Sequence, residues 1–348
     1  MKNFKMMTAL GGHILKSKVT GRRAPVFLSL FITNRCNLRC KYCFVVDEGL
    51  SKEVLHAEYD KKELFEIIDE FYALGTRMIF MLGGEPLFHP DIGAIIDYIV
   101  DKGIYLHVIT NGTLIEKRLA EIKRAHVLCV SLDGPDDVND AMRGNGTCQR
   151  AMAGIKAAVK AGIPTRIHAV LTRRNLLRIP ELAEISKTLR APLSISPPNF
   201  LGETDMEDLR ISKDEYKTFW AQYLDLARQG YPIANSQEAI KMCLDWPTDY
   251  HVFIKRGERF PGYKPIFCLN GYTYAALSAD KVLYNCINTE CKGPSVKDIS
   301  ITKAWENLLD WRPDCVSCAS INCIETAMLL NLRKEILFSG MRLHRVMG

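Results

Sequence analysis

Cys36, Cys40 and Cys43 stand in the run Cys-Asn-Leu-Arg-Cys-Lys-Tyr-Cys, close enough together to serve one metal centre. Three thiolates can hold three corners of a 4Fe-4S cluster, which leaves the fourth iron without a protein ligand and open to a small molecule. A structural zinc site takes four ligands, commonly as paired Cys-x-x-Cys units, and the uneven spacing argues against it. A second group falls between Cys268 and Cys323, with only Cys129, Cys148 and Cys243 between the two groups. Disulfide frameworks belong to small secreted chains, whereas grouped cysteines in a reducing compartment point to metal. Two metal sites are therefore expected, in an anaerobic or well-protected setting.

The elements that must position the first group are legible as alternating apolar runs and helical stretches from about residue 26 to 200, the pattern of βα units around a parallel sheet. Strands are predicted at Val26–Ile32, Met78–Leu82, Tyr105–Ile109, Val127–Leu132, Arg166–Leu171 and Leu193–Ser196. Helices are predicted at Lys61–Leu74, Asp91–Lys102, Leu114–Lys123, Arg150–Ala161 and Ile179–Leu189, with another at Lys213–Arg228 after a loop from Pro197 to Arg210. The fold class is α/β, a partial (β/α)6 TIM-like barrel with a small C-terminal iron-sulfur lobe. In such a barrel the chemistry sits where strands end. That rule picks out Thr33 to Cys43, Gly83-Gly84-Glu85-Pro86, Thr110-Asn111-Gly112 and Asp133-Gly134-Pro135 on one rim. Residues 250 to 325 are rich in Gly, Pro, Asn and Cys, as expected for a lobe held by metal more than by a core. The division expected is 1–24 as a basic amphipathic extension, 25–235 as the barrel and 236–348 as the auxiliary unit with a C-terminal helix.

At 348 residues and 47% apolar composition the chain has ample material for a packed core. A net charge of +6, without a run of like charges, argues against nucleic acid as a partner. No window approaches about 18 uninterrupted apolar residues and no signal peptide precedes the first strand, so a cytoplasmic protein is expected.

The Cys-x3-Cys-x2-Cys run after a first strand, with Tyr42 just before the last cysteine, closely resembles the signature of the radical S-adenosylmethionine (radical SAM) enzymes. The resemblance spans at least residues 26 to 200, and later motifs recur in the family's order. It implies that Cys36, Cys40 and Cys43 bind a 4Fe-4S cluster, that Tyr42 lies near the adenine, and that S-adenosylmethionine chelates the open iron through its methionyl amine and carboxylate. One electron from the cluster then splits the sulfonium to give a 5′-deoxyadenosyl radical, while the protein positions the cofactor and excludes water. Gly83, Gly84 and Glu85 resemble the motif that meets the methionyl amine, glycine being needed where backbone approaches a ligand closely. Ser131 and Asp133 look like ribose-hydroxyl partners, and Arg143 like the partner of the methionyl carboxylate, which a guanidinium can meet with two parallel hydrogen bonds. Asn111 reads as a turn residue lining the pocket, and Leu171 as a residue packing against adenine or lying in ordinary core. A reducing partner such as flavodoxin or ferredoxin is implied.

Cys268 and Cys286, separated by 17 residues, with Cys315-x2-Cys318 following after 28 more, resemble the auxiliary-cluster layout of the twitch domain, a shortened SPASM extension. At least one auxiliary 4Fe-4S cluster is implied, with Cys323 and Cys291 as extra thiols. The complete two-cluster pattern fails at Ala327, where a cysteine is expected, and at Lys281, where a glycine is usual. Zinc at Cys315-Val-Ser-Cys318 remains an alternative. Sulfatase-maturing relatives carry an acid after the cysteine matching Cys286, but Ile287 stands here.

For the substrate, Glu290, Asp245, His251 and Tyr274 are candidate acid, base or radical-relay groups. Basic amphipathic segments at 4–23 and 328–346 can either rest on an anionic membrane or cap the barrel. The lead-in from Ile14 to Arg23 is similar to the opening of radical enzymes that adenosylate hopanoid lipids, whereas twitch and SPASM enzymes commonly modify ribosomally made peptides. The early position of the cluster motif is expected to leave no leader-binding domain ahead of it. A peptide side chain and an isoprenoid or other membrane lipid are both carried forward. So is the alternative of a non-catalytic iron-sulfur electron-transfer module.

Overall fold

The structure, a computed structural model, describes residues 23–45, 51–197, 207–288 and 291–331 together with 11, 12 and 21. The expected segments at 4–23 and 328–346, the middle of the Pro197–Arg210 loop and Glu290 lie wholly or largely outside these residues.

Six apolar strands form one parallel sheet in chain order: β1 Phe27–Phe31, β2 Met78–Leu82, β3 Tyr105–Thr110, β4 Val127–Ser131, β5 Thr165–Val170 and β6 Leu193–Ser196. Helices link them: α1 Lys52–Leu55, α2 Lys61–Leu74, α3 Ile92–Asp101, α4 Ile115–Ile122, α5 Asp136–Arg143, α6 Thr147–Lys160 and α7 Ile179–Leu189. Local chemistry sets several boundaries. Asp60 caps α2 by accepting from the Glu63 N–H, and Gly75 ends it at φ 115°. Ser212 and Glu215 form a reciprocal capping box that starts α8, Lys213–Arg228. A further helix, α9 Gln237–Leu244, packs on it.

The sheet extends beyond the six expected strands. After a short β7, Ile254–Lys255, strand β8, Tyr274–Leu277, runs parallel to β1 on its free edge, and β9, Leu283–Tyr284, pairs antiparallel with β8. Helix α10 (Ile301–Asn307), strand β10 (Cys315–Ser317), antiparallel to β7, and helix α11 (Ile321–Leu330) complete the described chain.

The C-terminal segment is therefore not held by metal alone. Ala275, Leu277, Leu283, Trp305, Ile321 and Met328 belong to the same hydrophobic cluster as the barrel strands. The physical reason is the exposed edge of β1: an open parallel strand leaves a row of unpaired N–H and C=O groups, and β8 supplies their partners. Arg23 fastens this junction, donating to the Gly271 carbonyl (Nη2, 2.9 Å) and the Trp305 carbonyl (3.0 Å) while its guanidinium sits 4.8 Å from the Trp305 ring centre. Lys281, where glycine was expected, does adopt a glycine-like φ of 71°, with its ammonium ion-paired to Glu63.

The two faces of the sheet differ. Leu28, Leu30, Ile79, Leu106, Val108, Leu128 and Ile167 are fully buried on one face. The other, concave, face carries Ser29, Phe80, His107, Cys129, Arg166 and His168, and β5 alternates buried and half-buried residues along its length. Among the described residues no helix is long and apolar enough to cross a membrane.

Because barrel and C-terminal segment share one core, Trp305→Ala, which empties a position only 4% exposed, is expected to lower stability by about 3–5 kcal/mol. Urea unfolding followed by both circular dichroism and tryptophan fluorescence should show one common transition. Two separated transitions would contradict the shared core.

Candidate active site

The loop after β1 carries the three thiols, and the backbone ahead of them is seized by the loop after β2. Gly84 N–H donates to the Thr33 carbonyl (2.7 Å) and Glu85 N–H to the Arg35 carbonyl (2.9 Å). A Cβ at Gly83 would lie 2.1 Å from the Thr33 oxygen, and one at Gly84 would lie 2.4 Å from the Arg35 oxygen. Gly83 also has φ 149°, which disfavours any side chain. The glycines are thus required for contact between two loops of the protein, where the sequence reading gave the close approach to a ligand.

Glu85 is fully buried and binds its own rim. Its Oε1 accepts from Leu87 N–H (3.0 Å) and Thr110 Oγ1 (2.7 Å), and its Oε2 from Asn111 N–H (2.7 Å). Burial pushes its carboxyl up to about 6 despite these hydrogen bonds. Asn111 forms the expected turn, its Oδ1 accepting from Thr113 N–H (3.0 Å), and its amide donates to Asn37 Oδ1 (2.9 Å) inside the cysteine loop. The ends of β1, β2 and β3 are thereby one hydrogen-bonded unit.

The end of β4 supplies a second clamp. Asp133 is buried, and Arg143 meets it with two hydrogen bonds, Nε to Oδ2 at 2.7 Å and Nη2 to Oδ1 at 3.2 Å. Tyr42 OH also donates to Asp133 Oδ2, and Val170 N–H to Oδ1 (2.9 Å). Arg143 is the last residue of α5, a helix that the sequence analysis does not predict, and its guanidinium lies 5.4 Å from the Tyr42 ring centre. Lys41 N–H donates to the Met142 carbonyl (3.0 Å), so α5 also grips the thiol loop directly. In this arrangement Asp133 and Arg143, assigned by resemblance to different parts of S-adenosylmethionine, partner each other. Ser131 ends β4 half-buried on the concave side, whereas Leu171 has no exposed surface and belongs to the core.

Cys36, Cys40 and Cys43 are in no disulfide and are each half-buried. Burial pushes Cys36 up to about 12, with the Glu85 charge adding to the shift, and Cys40 up to about 11, where the neighbouring Arg143 charge opposes it. A donor set of three cysteine thiols on one loop, outside any disulfide and fixed from behind by two backbone hydrogen bonds, fits a cluster held at three corners. Among the described residues no three His, Cys, Asp or Glu converge as single-ion ligands.

The second cysteine group also assembles. Cys268, Cys286, Cys315 and Cys318 line one cavity together with Asn270 and Asn285. β10 brings Cys315 and Cys318, the Cys268 N–H donates to the Val316 carbonyl (2.8 Å), and α11 brings Cys323, whose sulfur accepts from Asn288 Nδ2 (3.2 Å). Asn285 is 1% exposed, yet neither polar atom of its side chain has a partner. An orphaned buried amide against four thiols fits a sulfur-rich group occupying that cavity. Ala327, by contrast, packs in the core from α11, and Asp245 and His251 are exposed. Tyr274 faces inward, donating from its hydroxyl to Ser29 Oγ (2.9 Å).

The sequence reading did not single out His107, Arg166 or His168 on the concave face. His168 sits between Ser194 Oγ (3.0 Å) and Ser196 Oγ (3.1 Å). Burial first, then the Arg166 charge, lowers His168 to about 4, and the same two causes hold His107 well below its usual range. The available signal was the polar alternation of Arg166 and His168 in a parallel strand, where both faces are ordinarily apolar.

Two outcomes follow. Gly83→Ala should unseat the thiol loop and remove roughly half the reconstituted iron of a two-cluster protein, while Gly103→Ala, at φ 73° with nothing within 4 Å of its Cβ position, should retain it; equal iron in both would contradict the role given to the loop contact. For acid, both histidines bind protons more weakly folded than unfolded, so stability should fall as pH drops from the ordinary 6.5 towards about 4. His168→Gln should flatten that fall in urea denaturation; an unchanged pH profile would contradict the burial argument.

The Radical SAM superfamily profile matches residues 30–185. The AdoMet-dependent heme synthase of Methanosarcina barkeri is 35% identical over 174 residues, 48% of this chain and 49% of that protein. PqqA peptide cyclase of Granulibacter bethesdensis is 25% identical over 320 residues, 84% of this chain and 79% of that protein. The chain thus spans about half the length of the first relative. Two crystal structures of Streptococcus suis SuiB share the fold with a TM-score of 0.64 over 84% of this chain: one bound to S-adenosylmethionine (16% identity, 68% of SuiB) and one bound to precursor peptide SuiA (17% identity, 67% of SuiB). The superfamily implies a 4Fe-4S cluster and S-adenosylmethionine, which the three thiols on the β1 loop fit. By the match over residues 30–185, its parallel sheet and these relatives, the chain is similar to the enzymes of the radical SAM superfamily.

Proposed function

We propose that this chain is an enzyme that cleaves S-adenosylmethionine reductively and abstracts a hydrogen atom from a peptide side chain. The observation that carries the first half is the joint fixing of Cys36, Cys40 and Cys43 by the Gly83–Glu85 loop and by the Asp133–Arg143 pair. A cluster held by Cys36, Cys40 and Cys43 would supply the single electron that reductive cleavage of S-adenosylmethionine requires.

The chain's own residues hold and shield that chemistry. Cys36, Cys40 and Cys43 ligate, and Glu85 locks the rim so that the thiols do not drift. Tyr42 and Arg143 close the side of the loop against water. Ser131, Asn111 and the Gly83–Glu85 backbone face the rim as contacts for S-adenosylmethionine. Residues 25–235 would carry this centre. Residues 236–348 would carry an auxiliary 4Fe-4S cluster on Cys268, Cys286, Cys315 and Cys318, with Cys323 beside them. The reductant would be a flavodoxin or ferredoxin.

A peptide is favoured because the relative named as a peptide cyclase aligns over 84% of the chain, barrel and C-terminal segment together, whereas the heme synthase aligns over 48%. The SuiB structure with a precursor peptide shares the fold over a similar span. No described feature supports the lipid alternative.

The test is anaerobic reconstitution with iron and sulfide, reduction, and chromatography of the nucleoside formed from S-adenosylmethionine. The account expects about eight irons per chain and 5′-deoxyadenosine as product. In the triple variant with Cys36, Cys40 and Cys43 replaced by Ala, the nucleoside should vanish and about half the iron remain. Undiminished nucleoside in that variant would overturn the assignment.

A further inference from the structure

The concave face of the sheet holds a cation whose charge no neighbour neutralises. Arg166 stands on β5 with its Nε buried and without a hydrogen-bond partner. Among the described residues it forms no ion pair; Cys129 meets it with a side-chain hydrogen bond, and Glu325 and Tyr105 reach it only through their charges. Glu325 is already engaged, accepting from Ser236 N–H (2.6 Å) and Asn235 Nδ2 (3.1 Å). The other inward guanidinium, Arg143, has the bidentate carboxylate that Arg166 lacks.

His107 on β3 joins it. The side chain is 9% exposed, its Nδ1 has no partner, and Phe80 and Tyr105 flank the ring at centroid distances of 5.2 Å. A guanidinium Nε and an imidazole Nδ1, each buried without a partner and close enough for one charge to act on the other ring, are each unfavourable, and an anion reaching both would satisfy them. The aromatic walls exclude water from that contact, which strengthens it.

We propose that Arg166, with His107, is the anchoring site for a carboxylate of the substrate, and that the substrate is accordingly a peptide bearing an acidic side chain. The inference rests on the peptide reading above and deepens it. The placement suits an anchor distant from the reacting carbon: Arg166 lies four residues before Val170, whose N–H meets Asp133 at the rim, a rise of roughly 13 Å along the strand. An extended acidic segment spans that distance with its carboxylate at the far end of the lumen and another residue at the thiol rim. A planar guanidinium whose Nε–H has no partner is suited to take a carboxylate.

The experiment uses reconstituted full-length protein with S-adenosylmethionine and two hexapeptide probes, Ac-Ala-Ala-Glu-Ala-Tyr-Ala-amide and its Gln counterpart, by isothermal titration. Wild type should bind the Glu peptide at least about tenfold more tightly, a difference on the order of 1.4 kcal/mol. Arg166→Gln should erase the preference and Arg166→Lys should keep part of it. Equal binding of the two peptides by wild type, no binding of either, or a preference that survives in Arg166→Gln would each overturn the proposal. Nucleoside formation without peptide is measured alongside: its presence with no Glu preference sinks the anchor alone, whereas its absence in wild type sinks the radical reading itself.

Discussion

The close contact between the backbone at Thr33–Arg35 and the Gly83–Glu85 loop is the constraint from which the rest of the rim follows. Two glycines bring one main chain within hydrogen-bonding distance of another, and no Cβ fits between them. Glu85 then carries the constraint to β3 by accepting from Thr110 and Asn111, and Asn111 returns it to the cysteine loop through Asn37. A loop of eleven residues that would otherwise sample many conformations is thereby held at its start and middle. The Asp133–Arg143 pair and the Lys41–Met142 hydrogen bond hold its end. Preorganisation of this kind lets three thiols meet a cluster without a further ordering penalty.

The same economy of elements links the two cysteine groups. β8 lies against β1, the strand that launches the thiol loop, and Tyr274 on β8 donates to Ser29 on β1. The chain segment that carries Cys268 and Cys286 is therefore continuous with the wall of the barrel and shares its core. Between the two cysteine groups lies the concave face with Ser29, His107, Arg166 and His168. Its polarity contrasts with the mainly aliphatic opposite face.

Much of this was legible in the sequence. Met78–Leu82 is an apolar run and Leu193–Ser196 an alternation of apolar residues and serines, both bounded by turn residues, and Lys61–Leu74 has an Asp cap and a Gly stop, so their ends agree with the structure residue for residue. Helix α5 was missed because Val138 and Met142 are its only large apolar residues. Its start signal is present nonetheless, in Pro135 followed by two aspartates: proline at the start and acids in the first turn favour a helix. β8 was missed because Tyr-Ala-Ala-Leu is short and lies among glycines and asparagines; only the free edge of β1, a tertiary fact, selects it. The thiol groups stood out by spacing. The pairing of Asp133 with Arg143 did not, because it depends on an unexpected helix that carries the guanidinium back over the strand end.

The central claim is that the three thiolates leave one iron open and that S-adenosylmethionine occupies it. The most direct measurement is electron-nuclear double resonance on the reduced, reconstituted protein with S-adenosylmethionine labelled with nitrogen-15 at the methionyl amine. A hyperfine coupling between that nitrogen and the cluster is expected, and it should vanish when Cys36, Cys40 and Cys43 are replaced by Ala. Absence of the coupling in wild type with the cluster intact would contradict the account.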